Sequence, residues 1–327
     1  MRSKNLPKHQ HYVPRVLLRA FTTGRSQQVY VFDKTDSRVF RTSIRNVAGQ
    51  RGFYDVDTPL GKASLEPTLS RLESAVAPLL DRIRSEQSIA TLELKERALL
   101  ALFSMVQHQR TANFRAVLAK MSSDLAQKFR DLGFDPSKVE GFKELKGDDL
   151  KKFTVQSVME AHQFVPYIMT KAWVLLRTAA DRTFYVADNP IGMQNRKDFG
   201  FYGNIGLAVP GIEIYLPISS ELTLGWLSES FVHETSKALA DIPRLKEAMP
   251  QKAGEIEAIG GRLRSFLDSL TSGALQQCVP DNVTNLNSLQ VRYAERYVYS
   301  RDDDFELARQ MIADDPELRG GPRGQVG

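Results

Sequence analysis

The 327-residue sequence is 42% hydrophobic and 25% charged, the ordinary balance of a globular protein with a sizeable core. Its longest apolar run, ALLALF at 98–103, is far below the roughly 20 residues of a membrane-spanning helix, so no membrane partner is expected. A single cysteine, Cys278, excludes an internal disulfide framework and any multi-cysteine metal site, and the basic N-terminus lacks the apolar stretch of a secretory signal; a cytoplasmic location is expected.

The net charge of +5 is unevenly placed. Arg2, Lys4, Lys8, Arg15, Arg19 and Arg25 precede the first acidic residue, Asp33, whereas Asp302, Asp303, Asp304, Glu306, Asp314, Asp315 and Glu317 crowd the end. This pattern divides the chain into a basic leader at 1–7, one globular domain at 8–300, and an acidic end at 301–327 that runs into a disordered Gly/Pro tail. A basic leader can attract a phosphate backbone.

In chain order, VYVF at 29–32 and RVFR at 38–41 flank the polar turn DKTDS and predict a hairpin. Leu69, Leu72, Val76, Leu79, Leu80 and Ile83 recur at helical spacing from about Leu65. A long helix is expected from about Leu92 to Leu132, then a charged connection or lid at 143–152, and a helix over 153–177 kinked at Pro166. TFYVA at 183–187 predicts a buried strand stopped by Asp188-Asn189-Pro190, and 212–217 with 222–227 predict a strand pair. Helices are expected over 229–249, 256–270 and 283–299. The fold class is α+β, mainly helical, with long central helices and a few short antiparallel strands.

The polar residues that break these patterns are the candidate functional groups. His9-Gln10-His11-Tyr12-Val13-Pro14-Arg15 precedes the first core-forming segment and reads as a stretch pinned against something else. On the long helix, at about 100° per residue, Leu99, Phe103, Val106, Phe114, Val117 and Met121 form one stripe. Arg110 falls within it, Gln107 lies at its edge, and His108 points away. A guanidinium there needs a carboxylate, carbonyls or a bound anion. Asn287 sits on the inward face of the last helix and needs hydrogen-bond partners. The Asp188-Asn189-Pro190 turn aims a carboxylate at the end of a strand, where Arg110 or an N-terminal histidine is its natural partner. His9 and His11, two apart on extended chain, could join Asp188 as divalent-metal ligands, though such spacing is common by chance. Alternatively, His11 and Tyr12 donate hydrogen bonds that staple the segment onto the core.

HQHYVPRVLLRAF, YVFDK, NVAGQRGFY, QHQRT, YVADNP, YLPIS and VTNLNSLQVRYAERYV occur in that order. Together they resemble the family known as domain of unknown function 4238, over roughly Lys8 to Tyr299. The resemblance implies a single-domain protein whose characteristic positions fall on His11, Tyr12, Pro14, Arg19, Phe21, Tyr54, Gln107, Arg110, Asp188, Asn189, Pro190 and Asn287. Ala112 departs from the pattern, which carries a proline after the Arg-Thr pair, and the departure bears on how the helix bends near Arg110.

Two functional readings follow. In the first, the protein is an enzyme acting on nucleic acid or nucleotides, a ribonuclease-like effector of phage defence or a toxin system. His11 is then the acid/base, Arg110 the phosphate contact and Asp188 the orienting carboxylate, with Tyr12, Arg15, Gln107, Asn189 and Asn287 binding substrate. In the second, it is a non-enzymatic helical binding or regulatory module whose polar residues form a structural network. No P-loop, dinucleotide fingerprint or nucleophile elbow is present.

Overall fold

The computed structural model describes residues 9–24, 27–59, 61–197 and 205–322; the basic leader and the last five residues lie outside them. The elements, in order, are β1 (His9–His11), α1 (Arg15–Leu18), β2 (Gln28–Asp33), β3 (Arg38–Ser43), β4 (Gly49–Arg51), β5 (Asp55–Thr58) and β6 (Gly61–Ser64). Four helices follow: α2 (Glu66–Glu86), α3 (Leu94–Gln109), α4 (Ala112–Asp131) and α5 (Gly147–Met159). Then come α6 (Val165–Met169), β7 (Ala172–Arg177), β8 (Val186–Ala187), β9 (Gly192–Asn195), β10 (Ile212–Pro217) and β11 (Leu222–Leu227). The chain closes with α7 (Glu229–Ala240), α8 (Ile242–Ala248), α9 (Ala253–Ser272), β12 (Leu275–Gln277), α10 (Pro280–Tyr293), β13 (Tyr297–Ser300) and α11 (Glu306–Asp314). The α+β class holds.

Two sheets organise the molecule. The first has the order β3-β2-β13-β8, all antiparallel, and places the expected hairpin beside a strand from the far end of the chain. The second has the order β12-β7-β11-β10-β9, with β12 parallel to β7 and the other pairs antiparallel. Its side chains alternate between two buried faces. Trp173, Leu175, Ile212, Ile214, Leu224 and Trp226 join the main core, while Val174, Leu176, Tyr215 and Leu227 join a second cluster with Phe266 and Leu286.

Five expectations are corrected. The helix from Leu92 to Leu132 is two helices, broken where Arg110 sits at φ −87°, ψ 4° and Thr111 at φ −91°, ψ 161°. Thr111 is the N-cap of α4, its hydroxyl accepting from the Phe114 N–H at 3.2 Å. The 100° stripe therefore ends at the break, and Met121, on α4, is 45% exposed. Ala112 occupies the first turn of α4, where proline is well tolerated, so its departure from the family pattern leaves the break in place.

The stretch at 172–177 is strand β7 rather than helix, because a short apolar run buried on both faces suits a central strand as well as a helix. Tyr297–Ser300 likewise leaves the last helix and becomes β13. The strand expected over 183–187 shortens to Val186–Ala187. Residues 147–152 of the expected connection belong to α5.

The acidic end packs onto the first sheet. Phe305, Ala308 and Ile312 are buried against Phe32 and Val298, and Arg319 donates to the Lys34 and Thr35 carbonyls in the hairpin turn.

Candidate functional site

The N-terminal segment is stitched down by its backbone and by Gln10. Strand β1 pairs with β4, opposing His9 to Arg51 and His11 to Gly49. Gly49 lies close to the partner strand: a Cβ there would stand 3.0 Å from the Gln10 carbonyl oxygen and 2.6 Å from the Nε2 of the exposed His9 ring. Gln10 is fully buried; its amide nitrogen donates to Asp55 at 2.6 Å and its oxygen accepts from the Tyr54 N–H at 2.6 Å. The staple expected from the His11 and Tyr12 side chains is made by their main chain. Gln107 donates to the Tyr12 carbonyl at 2.8 Å, Arg110 donates to the His11 carbonyl at 2.6 Å, and the Tyr12 N–H donates to Ala48 O at 2.8 Å.

Arg110 is 1% exposed and each nitrogen of its guanidinium has a partner. Nε donates to the Tyr54 hydroxyl at 3.1 Å, Nη1 to Glu73 at 2.7 Å and Nη2 to the His11 carbonyl. The Tyr54 hydroxyl in turn donates to the Arg110 carbonyl at 3.0 Å, so backbone and side chain are gripped together at the helix break. Burial disfavours the Arg110 charge, and Tyr54 and Glu73 more than offset it, raising its pKa.

Asp188 meets neither Arg110 nor a histidine. Its carboxylate accepts the backbone N–H groups of Glu295 (2.7 Å), Arg296 (2.9 Å) and Tyr297 (2.9 Å), clamping the corner between α10 and β13. Burial pushes its pKa up to about 6 against the pull of these three donors. At the same corner the buried Lys34 ammonium donates to the Val291 and Ala294 carbonyls at the end of α10. Asn189 accepts from Thr111 and donates to Asn113 and to the Tyr293 carbonyl, tying the turn to the α3–α4 break. Asn287 accepts from the Tyr185 N–H at 2.8 Å and donates to Thr183 O at 2.9 Å. Gln290, one turn on, does the same for Ala187 and Pro190. Arg110 and Asn287 thus serve different neighbours. Arg15 is exposed.

Several buried side-chain atoms have no hydrogen-bond partner, among them the His11 Nε2, the Glu66 Oε2, the Gln107 Oε1 and the His108 Nδ1. Burial, then His9 and Arg15, lower the His11 pKa to about 4, which leaves the ring neutral. His108 is also lowered to about 4, by burial alone. Its folded pKa lies below the ordinary 6.5, so the unfolded chain takes up a proton first as the pH falls. The contribution of His108 is therefore present above pH 6.5 and lost towards pH 4. Denaturant midpoints at several pH values should show the parent losing more stability over this window than His108→Phe; parallel curves would contradict it.

A second feature lies on the outer face of the five-stranded sheet. A cleft of about 550 Å³ has a floor of Val174, Leu176 and Leu227 and walls from α7, α9 and the start of α10, including Phe231, Phe266 and Leu286. Glu213, 1% exposed, stands beside it. One carboxylate oxygen accepts from Gln194 and from the Tyr215 hydroxyl, both at 2.7 Å, and the other lies 3.3 Å from the Arg196 Nε. Burial and the neighbouring Glu213 raise the Tyr215 pKa well above its usual value. Burial pushes the Cys278 thiol up to about 12, so this cleft residue stays protonated and weakly nucleophilic.

Gly225 leaves room for the Tyr215 ring: a Cβ there would meet Val174 at 2.8 Å and Tyr215 at 3.1 Å. Gly225→Val is expected to cost about 1–3 kcal/mol by overpacking and to displace Tyr215 from Glu213. Thermal unfolding with the tyrosine near-ultraviolet signal checks this; an unchanged parent-like profile would contradict it.

Sequence reasoning missed the acid that answers Arg110. Glu66, Leu69, Glu73, Val76 and Leu80 follow a three-four spacing on α2, so Glu73 interrupts that stripe as Arg110 interrupts α3. It also missed the cleft, although Glu213 and Tyr215, two apart on a strand, necessarily share a face. Among the described residues, no group of three or more His, Cys, Asp or Glu side chains is placed to hold a metal ion.

No curated protein and no solved structure matches the chain. Residues 9–304 match the family described as Protein of unknown function (DUF4238), and the chain belongs to that family.

Proposed function

We propose that this protein is a binding module for a small molecule, with its ligand in the cleft on the five-stranded sheet. The polar set around Arg110 and Asp188 serves as the frame that holds the N-terminal segment and the Asp188 turn in place. The observation that carries this reading is the cleft: an apolar floor on a rigid sheet, a few convergent polar groups, and a volume of about 550 Å³, within the range of small-molecule sites. The engagement of Arg110 and Asp188 with their own chain supports it, since neither is left to contact a substrate. Thr235→Trp, placed on the cleft wall, is expected to abolish small-molecule binding measured by titration calorimetry while leaving the melting temperature near the parent's. Retained binding in this variant would refute the cleft as the site.

One observation favours a second reading, an enzyme acting on nucleic acid or nucleotides. The His11 Nε2 and the Glu66 Oε2 are buried without hydrogen-bond partners, and an imidazole and a carboxyl group are the kinds of group that transfer protons. Incubating purified protein with RNA, DNA and nucleotides, with and without divalent metals, tests it. Turnover lost in His11→Ala, with an unchanged melting temperature, would favour the enzyme over the binding module.

A further inference from the structure

The cleft carries a charge pattern that selects among ligands. Its lining holds two cations, Arg196 and Arg262, and one carboxylate, Glu234, with Glu213 and Lys197 beside it as ion-pair partners. Both carboxylates are already paired: Glu213 with Arg196, and Glu234 with Lys197 at 2.7 Å. Arg262 has no carboxylate within ion-pair distance among the described residues, and its side chain is exposed on α9. Arg196 is held at one edge only. Its Nε faces Glu213 and its guanidinium lies over the Phe231 ring, 5.2 Å from the centroid, while neither terminal nitrogen has a hydrogen-bond partner among the described residues.

The geometry points to an amphipathic monoanion as the ligand, a carboxylic acid with an aliphatic or aromatic body. The carboxylate would sit at the mouth on the free fork of Arg196 and on Arg262, and the body would lie on Val174, Leu176, Leu227 and Phe266. The Arg196 side chain is 74% exposed, and with its Nε facing Glu213 its terminal nitrogens remain open, which suits bidentate recognition of a carboxylate. A cationic ligand is disfavoured by the same contacts. Glu213 is 1% exposed, its Oε2 accepts from Gln194 and Tyr215, and its Oε1, without a hydrogen-bond partner, lies 3.3 Å from the Arg196 Nε, so an ammonium group would have to compete with Arg196 for Oε1.

This inference rests on the cleft being the ligand site, and one experiment separates the two. The full chain is titrated calorimetrically with octanoate, 1-octanol and octylammonium, each against the parent, Thr235→Trp and Arg262→Gln. The expected order is octanoate first, with octanoate affinity lowered about tenfold in Arg262→Gln, the worth of one charge-assisted hydrogen bond, and binding lost in Thr235→Trp. Because Arg262 is exposed and unpaired, its removal should leave the fold intact. Arg196→Gln, with its melting temperature recorded, is the second variant and should weaken octanoate alone. If 1-octanol or octylammonium binds as tightly as octanoate, and Thr235→Trp abolishes both, the cleft stands and its anion preference falls. If no probe binds, or Thr235→Trp changes nothing, the cleft itself is refuted and the preference with it.

Discussion

Arg110→Ala is expected to destabilise the protein by about 3–5 kcal/mol, the range for removing one partner of a buried ion pair. The change leaves the Tyr54 hydroxyl and the His11 carbonyl without their donor and strands Glu73. Glu73 is 26% exposed and can recover some hydration, which places the effect towards the lower end of that range. Arg110→Lys should fall between parent and alanine, because an ammonium keeps the charge but cannot reach three partners in a fixed plane. Urea unfolding measures both. An alanine variant within about 1 kcal/mol of the parent, as an ordinary surface change would be, contradicts the assignment.

The second large effect is at Asp188. Removing the carboxylate in Asp188→Ala leaves three backbone N–H groups in the α10–β13 corner without an acceptor, each worth about 1–3 kcal/mol, for a total of roughly 3 kcal/mol or more. Asp188→Asn separates charge from shape. The folded pKa of Asp188, about 6, lies above the carboxylate's ordinary 3.8, so the folded state takes up a proton first as the pH falls. The parent therefore gains stability over Asp188→Asn between about pH 6 and pH 4. Unfolding midpoints of the two proteins across that window read the gap directly. A gap that narrows on acidification would contradict a buried, charge-penalised carboxylate.

The placement of these residues shows which physics a sequence exposes. The β2–β3 hairpin, α2, and the β10–β11 pair were legible because each carries a periodic apolar pattern closed by its own turn or cap chemistry. Arg110, Asp188, Asn189 and Asn287 were legible as polar residues in apolar surroundings, and all four are buried at 7% exposure or less. Their partners were not. Which acid meets Arg110 depends on how α2 packs against the α3–α4 break, a tertiary fact that no local spacing contains. Strand β7 was hidden for a different reason: AWVLLR is apolar on both sides, so it has no period to distinguish strand from helix. The cleft required both, since its floor is the outer face of that strand and its walls arrive from helices that begin at Glu229, far along the chain from the strand's end at Arg177.

The central claim is that Arg110 and its partners lock the N-terminal segment as part of the fold. Native-state hydrogen exchange of the Tyr12 amide, bonded to Ala48 O, tests it most directly when parent and Arg110→Ala are compared. Protection of Tyr12 is expected to fall together with that of core strands such as β2, because the segment and the core open as one unit. Protection of Tyr12 that survives unchanged in Arg110→Ala would contradict it.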